Sequence, residues 1–365
     1  MIMTTEPHLP MTAPGEEEPI RDEVGVGIIG AGFIADYHLE ALTALQVAST
    51  RAIAARSMDR ARALAAVYGI PSVEANWRAL LSRADIAAVV IATPDDTHCE
   101  IACAALESGK AVLLQKPMAR TGAEARTILA AARRSGAPLE VSFMHRHLPE
   151  VVRTREILRT GRCGRVLSAR LRNATPGPDW SEWFYSRDKV GGGVVLQLGV
   201  HGIDLVLHLL GPIEGVLAMT SLGRPQRTLR DGRVIHPDNE DLANALYRLE
   251  GGATVSHEMS MSEVAGTDRF ALEIYCTDAT LHLRGPRGLL AVRWAGGTEW
   301  DVPDLSDEPA GLRHHAEFLE VAAGRRPATG TAECALAGLL VAEAIYRSAG
   351  RGRFELADPQ EGSLP

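Results

Sequence analysis

The chain predicts an α/β fold in two parts: a doubly wound parallel sheet first, then an α+β half with a large, mostly antiparallel open sheet. Three observations lead there. The first 145 residues alternate short apolar, β-branched runs with helix-length stretches, which is how a parallel sheet covered on both faces reads. After residue 150, long segments with period-two alternation follow one another with few helices between them. The length, 365 residues, exceeds one ordinary compact core and makes two the natural expectation.

The elements follow in order. Val24 to Ile29 (VGVGII) is a buried strand ending in glycine, and residues 34–45 carry apolar side chains at helical spacing. Val47 to Ala54 is a second strand, and Asp59 to Tyr68 a helix closed by Gly69. Ile86 to Ala92 (IAAVVIA) is a third, followed by Thr93-Pro94 and a helix from Thr97 to Ser108 that Gly109 caps. Ala111 to Leu114, a helix running to Arg134, and Leu139 to Phe143 close the first series. A helix over 150–159 then ends at Gly161. Strands follow at 165–174, 215–222, 241–249, 253–261, 268–276, 279–284 and 289–294, with Gly251-Gly252 as a hairpin turn. A last helix, 331–348, is apolar on a broad face and is expected to pack back onto both halves.

Composition narrows the function. With 46% hydrophobic and 23% charged residues the chain is globular. A net charge of −8 argues against the basic face that nucleic acid requires. Arg133-Arg134 and Arg325-Arg326 sit where helices end and complement the helix dipole. No apolar run reaches the ~20 residues of a membrane span, and the N-terminus lacks the order of a signal peptide, so a cytoplasmic protein without membrane contact is expected. Residues 1–22, rich in Pro, Thr and Glu, read as a disordered leader. Five cysteines with no CxxC pair indicate neither a disulfide framework nor a metal site. Cys99 and Cys103, four apart, read as small hydrophobes on one helix face.

The first strand runs into Gly30-Ala31-Gly32-Phe33-Ile34-Ala35, a GxGxxA loop. Gly30 permits the tight turn, Gly32 lets backbone approach a pyrophosphate, and Ala35 lets helix and strand pack closely. The N–H groups around Phe33 and Ile34 then face the anion. This is the dinucleotide-binding arrangement of a Rossmann fold. At the tip of the second strand the chain reads Ala54-Ala55-Arg56-Ser57-Met58-Asp59-Arg60, with no carboxylate for a ribose 2′-hydroxyl. Arg56, Ser57 and Arg60 suit a 2′-phosphate instead, so NADP(H) is favoured and NAD(H) is the alternative.

Two further segments carry a resemblance. Thr93-Pro94 with His98, then Gly109-Lys110 leading to Gln115-Lys116-Pro117, and later Gly191-Gly192-Gly193-x3-Gln197-x-Gly199-x-His201-x2-Asp204, are similar to motifs of the glucose-fructose oxidoreductase/inositol dehydrogenase (Gfo/Idh/MocA) family. The likeness extends over most of residues 24–348. It implies an NAD(P)-dependent dehydrogenase acting on CH–OH groups of a sugar, cyclitol or sugar-nucleotide-like substrate, and a homodimer or homotetramer paired through the open face of the second sheet. The expected division is a dinucleotide-binding domain over 23–145, a substrate and oligomerisation domain over 146–350, and a tail over 351–365. Thr93, Pro94, His98, Gln115 and Lys116 are expected beside the cofactor.

Hydride transfer at a carbinol needs a group to carry the hydroxyl proton. Lys116, at a strand's carboxyl end, is the first candidate, and partial burial would lower its pKa towards a working range. The bond to Pro117 is expected to be cis by resemblance. His201 is the second candidate. On an α-helix over 195–209, Gln197, His201 and Asp204 share a face, with Asp204 orienting or balancing Lys116 or His201, and His208 packing one turn on. Gln115 and Gln197 stand where the family usually has carboxylates, and an amide cannot accept a proton, so Lys116 is left with most of the proton traffic. Arg146 is a candidate for the cleft wall, as is Trp183 with Trp180, Phe184 and Tyr185, whose aromatic faces suit a sugar ring. His314-His315 show no partner in sequence. The two substitutions to glutamine also keep open a non-catalytic NADP-binding regulator, beside a nicotinamide-retaining hydrolase or epimerase that uses hydride transfer only transiently.

Overall fold

The computed structural model describes residues 23–265, 270–305 and 309–358. The leader over 1–22, the end of the tail from 359, and the first two residues of the strand expected at 268–276 lie outside these.

The first half alternates as expected. It runs β1 (Val24–Ile29), α1 (Phe33–Ala44), β2 (Ala48–Ala54), α2 (Met58–Tyr68), β3 (Val73–Glu74), α3 (Trp77–Leu81), β4 (Ala88–Ile91), α4 (His98–Glu107), β5 (Ala111–Gln115), α5 (Gly122–Ser135) and β6 (Leu139–Ser142). All strand pairs are parallel, in the order β3-β2-β1-β4-β5-β6. The order reverses between β1 and β4, which opens a crevice at the strands' carboxyl ends, the usual ligand site of such sheets. Both faces are buried, and successive residues go to opposite sides. Val26, Ile28, Val90 and Leu113 pack on α1, whereas Ile29, Val89, Ile91 and Leu114 enter a core that extends into the second half. Trp77–Leu81 and the two-residue β3 are too short to show a periodicity and were not expected.

The second half holds α6 (Pro149–Arg159), β7 (Val166–Ala174), α7 (Arg187–Val190), α8 (Val200–Leu209), β8 (Ile213–Ser221), a small hairpin of β9 (Arg227–Thr228) and β10 (Val234–Ile235), then β11 (Leu242–Leu249) and β12 (Thr254–Ser260). It continues with β13 (Ala271–Cys276), β14 (Ala279–Gly285), β15 (Gly288–Trp294), α9 (Ala310–Ala322), α10 (Thr331–Arg351) and β16 (Glu355–Leu356). The eight-stranded sheet has the order β15-β14-β13-β7-β12-β11-β8-β16; β12 and β7 are parallel and the other pairs antiparallel. β11 alternates buried and exposed residues along its length, so one face packs on helices and the other is open. Leu217, Met219 and Leu246 stand on the strands of this sheet as exposed apolar side chains.

The chain's last helices return to its first sheet. Phe318 and Leu319 of α9 belong to the same core cluster as Val26 and Leu39, and α10 touches α5, β6, α8 and β8. One helical stretch, Arg187–Leu209, has the length and apolarity of a membrane span, which the sequence expectation of no such run did not include; 83% of its most apolar 18-residue window is buried inside the protein. It comprises α7, the glycine run and α8.

Candidate active site

The loop after β1 shows why its residues are small. Gly30 sits at φ +116°, and a Cβ there would run into the backbone of Ala92. Gly32 differs: a Cβ on it would meet only the Ala92 carbonyl oxygen, at 3.9 Å. The space in front of Gly32 is therefore open, and it lies at the N-terminus of α1, where no side chain caps the free N–H groups. Ala35 is fully buried against the sheet. A dinucleotide pyrophosphate fits this cradle. Phe33 is 67% exposed, and Trp180 from the second half lies over it with ring centroids 5.0 Å apart. The aromatic loop thus reaches the phosphate loop through Trp180, while Trp183 stacks on Phe184 at 3.9 Å. Arg56, Ser57 and Arg60 are exposed beyond β2, and the Ser57 hydroxyl makes no cap bond to α2.

Lys116 directly follows β5, with a cis bond to Pro117. Its Nζ donates to the Gln197 carbonyl at 2.8 Å. Burial lowers the pKa of this amine, and Asp95 opposes the shift. Asp95 was absent from the sequence-predicted set. It follows β4 in a one-turn 3₁₀ helix, is only 4% exposed, and accepts a hydrogen bond from Gln197 Nε2 at 2.7 Å. Burial raises the Asp95 pKa, while His98, the Gln197 amide and Lys116 act to lower it. Its sequence signal was present: an acidic residue directly after Thr93-Pro94, at the switch point where ligands bind.

Several expected roles change. The segment expected to be α-helical from 195 begins instead as a π-helical turn, Val195–Gly199, before α8. Gln197 in this turn, and His201 and Asp204 on α8, meet three different neighbours. Gln197 turns to Asp95, His201 stacks on His145 with centroids 4.2 Å apart, and Asp204 takes Arg146 in a two-pronged ion pair at 2.8 and 2.5 Å. Asp204 and Arg146 are 2% and 9% exposed, so the carboxylate expected to orient Lys116 or His201 is engaged by Arg146, and Arg146 is a buried counter-ion instead of an open cleft wall. The glycine run before this turn is required by packing, since a Cβ on Gly193 would coincide with the Glu240 backbone. His208 keeps a packing position; burial, with Arg146 nearby, depresses its pKa to about 3.

His98 is fully buried, which leaves no surface for a cofactor. Its ring nitrogens lie 2.9 Å from the carbonyl oxygens of Pro117 and Thr93, so it braces the loops after β4 and β5. Thr97 packs on the same turn, its hydroxyl 2.7 Å from the Pro94 carbonyl and 2.8 Å from Thr93 Oγ1. Gln115 is buried as well. Its oxygen accepts the Lys116 N–H at 2.7 Å, and its amide nitrogen faces His38 Nε2 at 3.2 Å. His38 Nδ1 then lies 2.8 Å from His315 Nε2, and His315 Nδ1 2.7 Å from the Gly311 carbonyl. With both histidines neutral, every link has one donor and one acceptor. A carboxylate at 115 could not donate to His38, which accounts for the amide. His314 and His315 do have partners, then: His315 in this chain, and His314 with the Tyr37 hydroxyl at 3.1 Å. Neighbours from α1, some 277 residues away, were invisible in sequence.

Known proteins share this architecture. Residues 24–143 match the model of the oxidoreductase family with an NAD-binding Rossmann fold, and 151–282 match the Gfo/Idh/MocA C-terminal domain. A dTDP-3,4-didehydro-2,6-dideoxy-alpha-D-glucose 3-reductase of Actinomadura kijaniata is 35% identical over 68% of this chain and 74% of its own. The levoglucosan dehydrogenase of Pseudarthrobacter phenanthrenivorans is 28% identical over 71% of this chain and 73% of its own. A solved levoglucosan dehydrogenase in complex with NADH and levoglucosan superimposes with a TM-score of 0.83 at 25% identity, covering 93% of this chain and all of that one. The chain belongs to the Gfo/Idh/MocA family and is an NAD(P)-dependent oxidoreductase acting on CH–OH groups.

Proposed function

We propose that the protein transfers hydride between a nicotinamide dinucleotide, preferentially NADP(H), and a carbinol or keto carbon of a sugar, cyclitol or sugar-nucleotide-like substrate. Lys116 carries the hydroxyl proton. The observation behind this reading is a single amine at the carboxyl end of β5, tethered to Gln197, with burial lowering its pKa. Its residue type matters: the chain has only three lysines among 38 lysines and arginines. An amine at this position can lose its proton, which a guanidinium does not do.

The dinucleotide, when bound, supplies or accepts the hydride. The chain's own residues do the rest. Gly30, Gly32 and the first N–H groups of α1 hold the pyrophosphate, and Lys116 gives or takes the proton at its Nζ. Gln197 sets the position of that nitrogen through its main-chain carbonyl, and His201, on the first turn of α8, assists at the substrate hydroxyls. Arg56, Ser57 and Arg60, with no carboxylate beyond β2, support the preference for a 2′-phosphate. The sugar-type substrates in the relatives' names support the substrate class. The exposed apolar residues of the second sheet, Leu217, Met219 and Leu246, are where a second copy would pair.

The test has two arms. Titration with NADPH and NADH, followed by energy transfer from tryptophan, should favour NADPH; tighter NADH binding overturns the cofactor preference alone. Lys116→Ala should bind NADPH as before, yet lose roughly 10²–10⁴ in turnover on a panel of pyranoses, cyclitols and keto sugars. Full turnover in that variant overturns the role of Lys116.

A further inference from the structure

We propose that Asp95 is the positioning residue of this cleft: its carboxylate fixes the orientation of the Gln197 amide and supplies the negative charge that keeps Lys116 an ammonium between turnovers. The inference rests on the reading of Lys116 as proton carrier and adds what governs that proton.

The geometry is specific. Residue 197 is held at two points by the two charged groups: its amide nitrogen by Asp95 at 2.7 Å, its carbonyl by Lys116 at 2.8 Å. A carboxylate only accepts, so the amide must present its NH₂ to Asp95, and one of its two flips is selected. Asp95 is 4% exposed, and no arginine pairs with it among the described residues. Its charge is uncompensated at contact distance and acts on what lies nearby. The groups around it are His98 on the first turn of α4, Lys116 at the end of β5, and Asp96, which Lys189 of α7 holds at 2.8 Å. Gln197 from the π-helical turn is neutral, and His201 lies one turn on in α8. Asp95 alone among them opposes the loss of the Lys116 proton that burial favours. Without such a neighbour, burial would push the amine further towards its neutral form, which can accept a proton but has none to give. With Asp95 in place it serves both directions of the reaction.

Three lysines make the experiment direct. Protein grown with [ε-¹³C]lysine should give three side-chain signals, and Lys116→Arg identifies the one that matters. In Asp95→Asn the Lys116 titration should move down by about one unit, a tenfold change in ionisation. In the exchange Asp95→Asn with Gln197→Glu, a carboxylate returns at the other end of the same bond, and the titration should come back to within about half a unit of the parent. Gln197→Met, which keeps the charge and loses the amide, should leave the downward shift absent. An unchanged Lys116 titration in folded D95N overturns the proposal. So does a protonated Asp95 in the unaltered protein at pH values where Lys116 titrates, read from [γ-¹³C]aspartate, a measurement that no folding defect can confound. Either result stands apart from the role of Lys116 itself, which fails only if K116A turns over normally.

Discussion

Two cation and carboxylate couples of this protein, one fully buried and one part-buried, are built differently. Arg146 and Asp204 meet directly, fork to carboxylate, at 2.8 and 2.5 Å, and each neutralises the other. Lys116 and Asp95 form no ion pair among the described residues; they hold the amide and the carbonyl of one glutamine between them. The first couple has no proton to trade, because a guanidinium stays charged and its partner is fully satisfied. In the second, burial drives carboxyl and amine pKa values towards each other while contact is withheld. Burial alone therefore does not make a reactive group. Incomplete pairing does.

Exchanging the cation types probes the difference most strongly. Lys116→Arg keeps the charge and removes the labile proton, so single-turnover hydride transfer should fall by roughly 10²–10⁴ with NADPH affinity intact. A variant that reacts at the parent rate erases the contrast. Arg146→Ala acts on stability instead. It strands Asp204 in the interior and should cost about 3–5 kcal/mol in urea unfolding, whereas replacing both partners by Met and Leu should recover most of the loss. A cost below about 1 kcal/mol for R146A would mean that Asp204 finds another partner.

Protons also test the histidine core beside α1, which resembles the arginine pair in being fully internal. Burial depresses His315 and His147 to about 4, and His38 and His314 well below the ordinary 6.5. A folded-state pKa below the unfolded one means that stability is whole above about pH 6.5 and is lost as pH falls towards 4, where the unfolded chain binds protons that the native one refuses. The loss should reach about 3 kcal/mol for His315 alone. Denaturant midpoints measured from pH 7 to pH 4 check this, and His315→Gln should flatten the curve. The smallest effect expected is at the rim. Arg56→Ala with Arg60→Ala should weaken NADPH binding roughly tenfold and leave NADH nearly unaffected, since each exposed charge contributes modestly.

What could be read from sequence follows the range over which the causes act. β1 with its GxGxxA loop, Gly69 closing α2 and the Gly251-Gly252 hairpin were legible because turn chemistry and periodicity are local. Nearly every long strand lies within two residues of its expected bounds. The site was legible in its inventory but not in its wiring. Lys116, Gln197 and His201 were named, yet the π-helical turn before α8 is held by Glu240 accepting from Gly193 and Val195, contacts 47 and 45 residues away. Asp204 takes a partner 58 residues away, Arg146, which no local pattern shows. Asp95 was missed because an acid in a loop ordinarily stays in solvent, and only the packing of the later helix over it shows that this one does not.

The return of α9 and α10 to the first sheet has a consequence for how the protein comes into being. On a ribosome the strands that will hold the dinucleotide emerge first, and the helix that supplies Phe318 and Leu319 to their core emerges nearly last. One face of the nascent sheet must therefore stay incomplete for most of synthesis, and the cofactor half reaches its final packing only when residues beyond 310 have left the exit tunnel. For this chain, maturation of the part made first waits on the part made last.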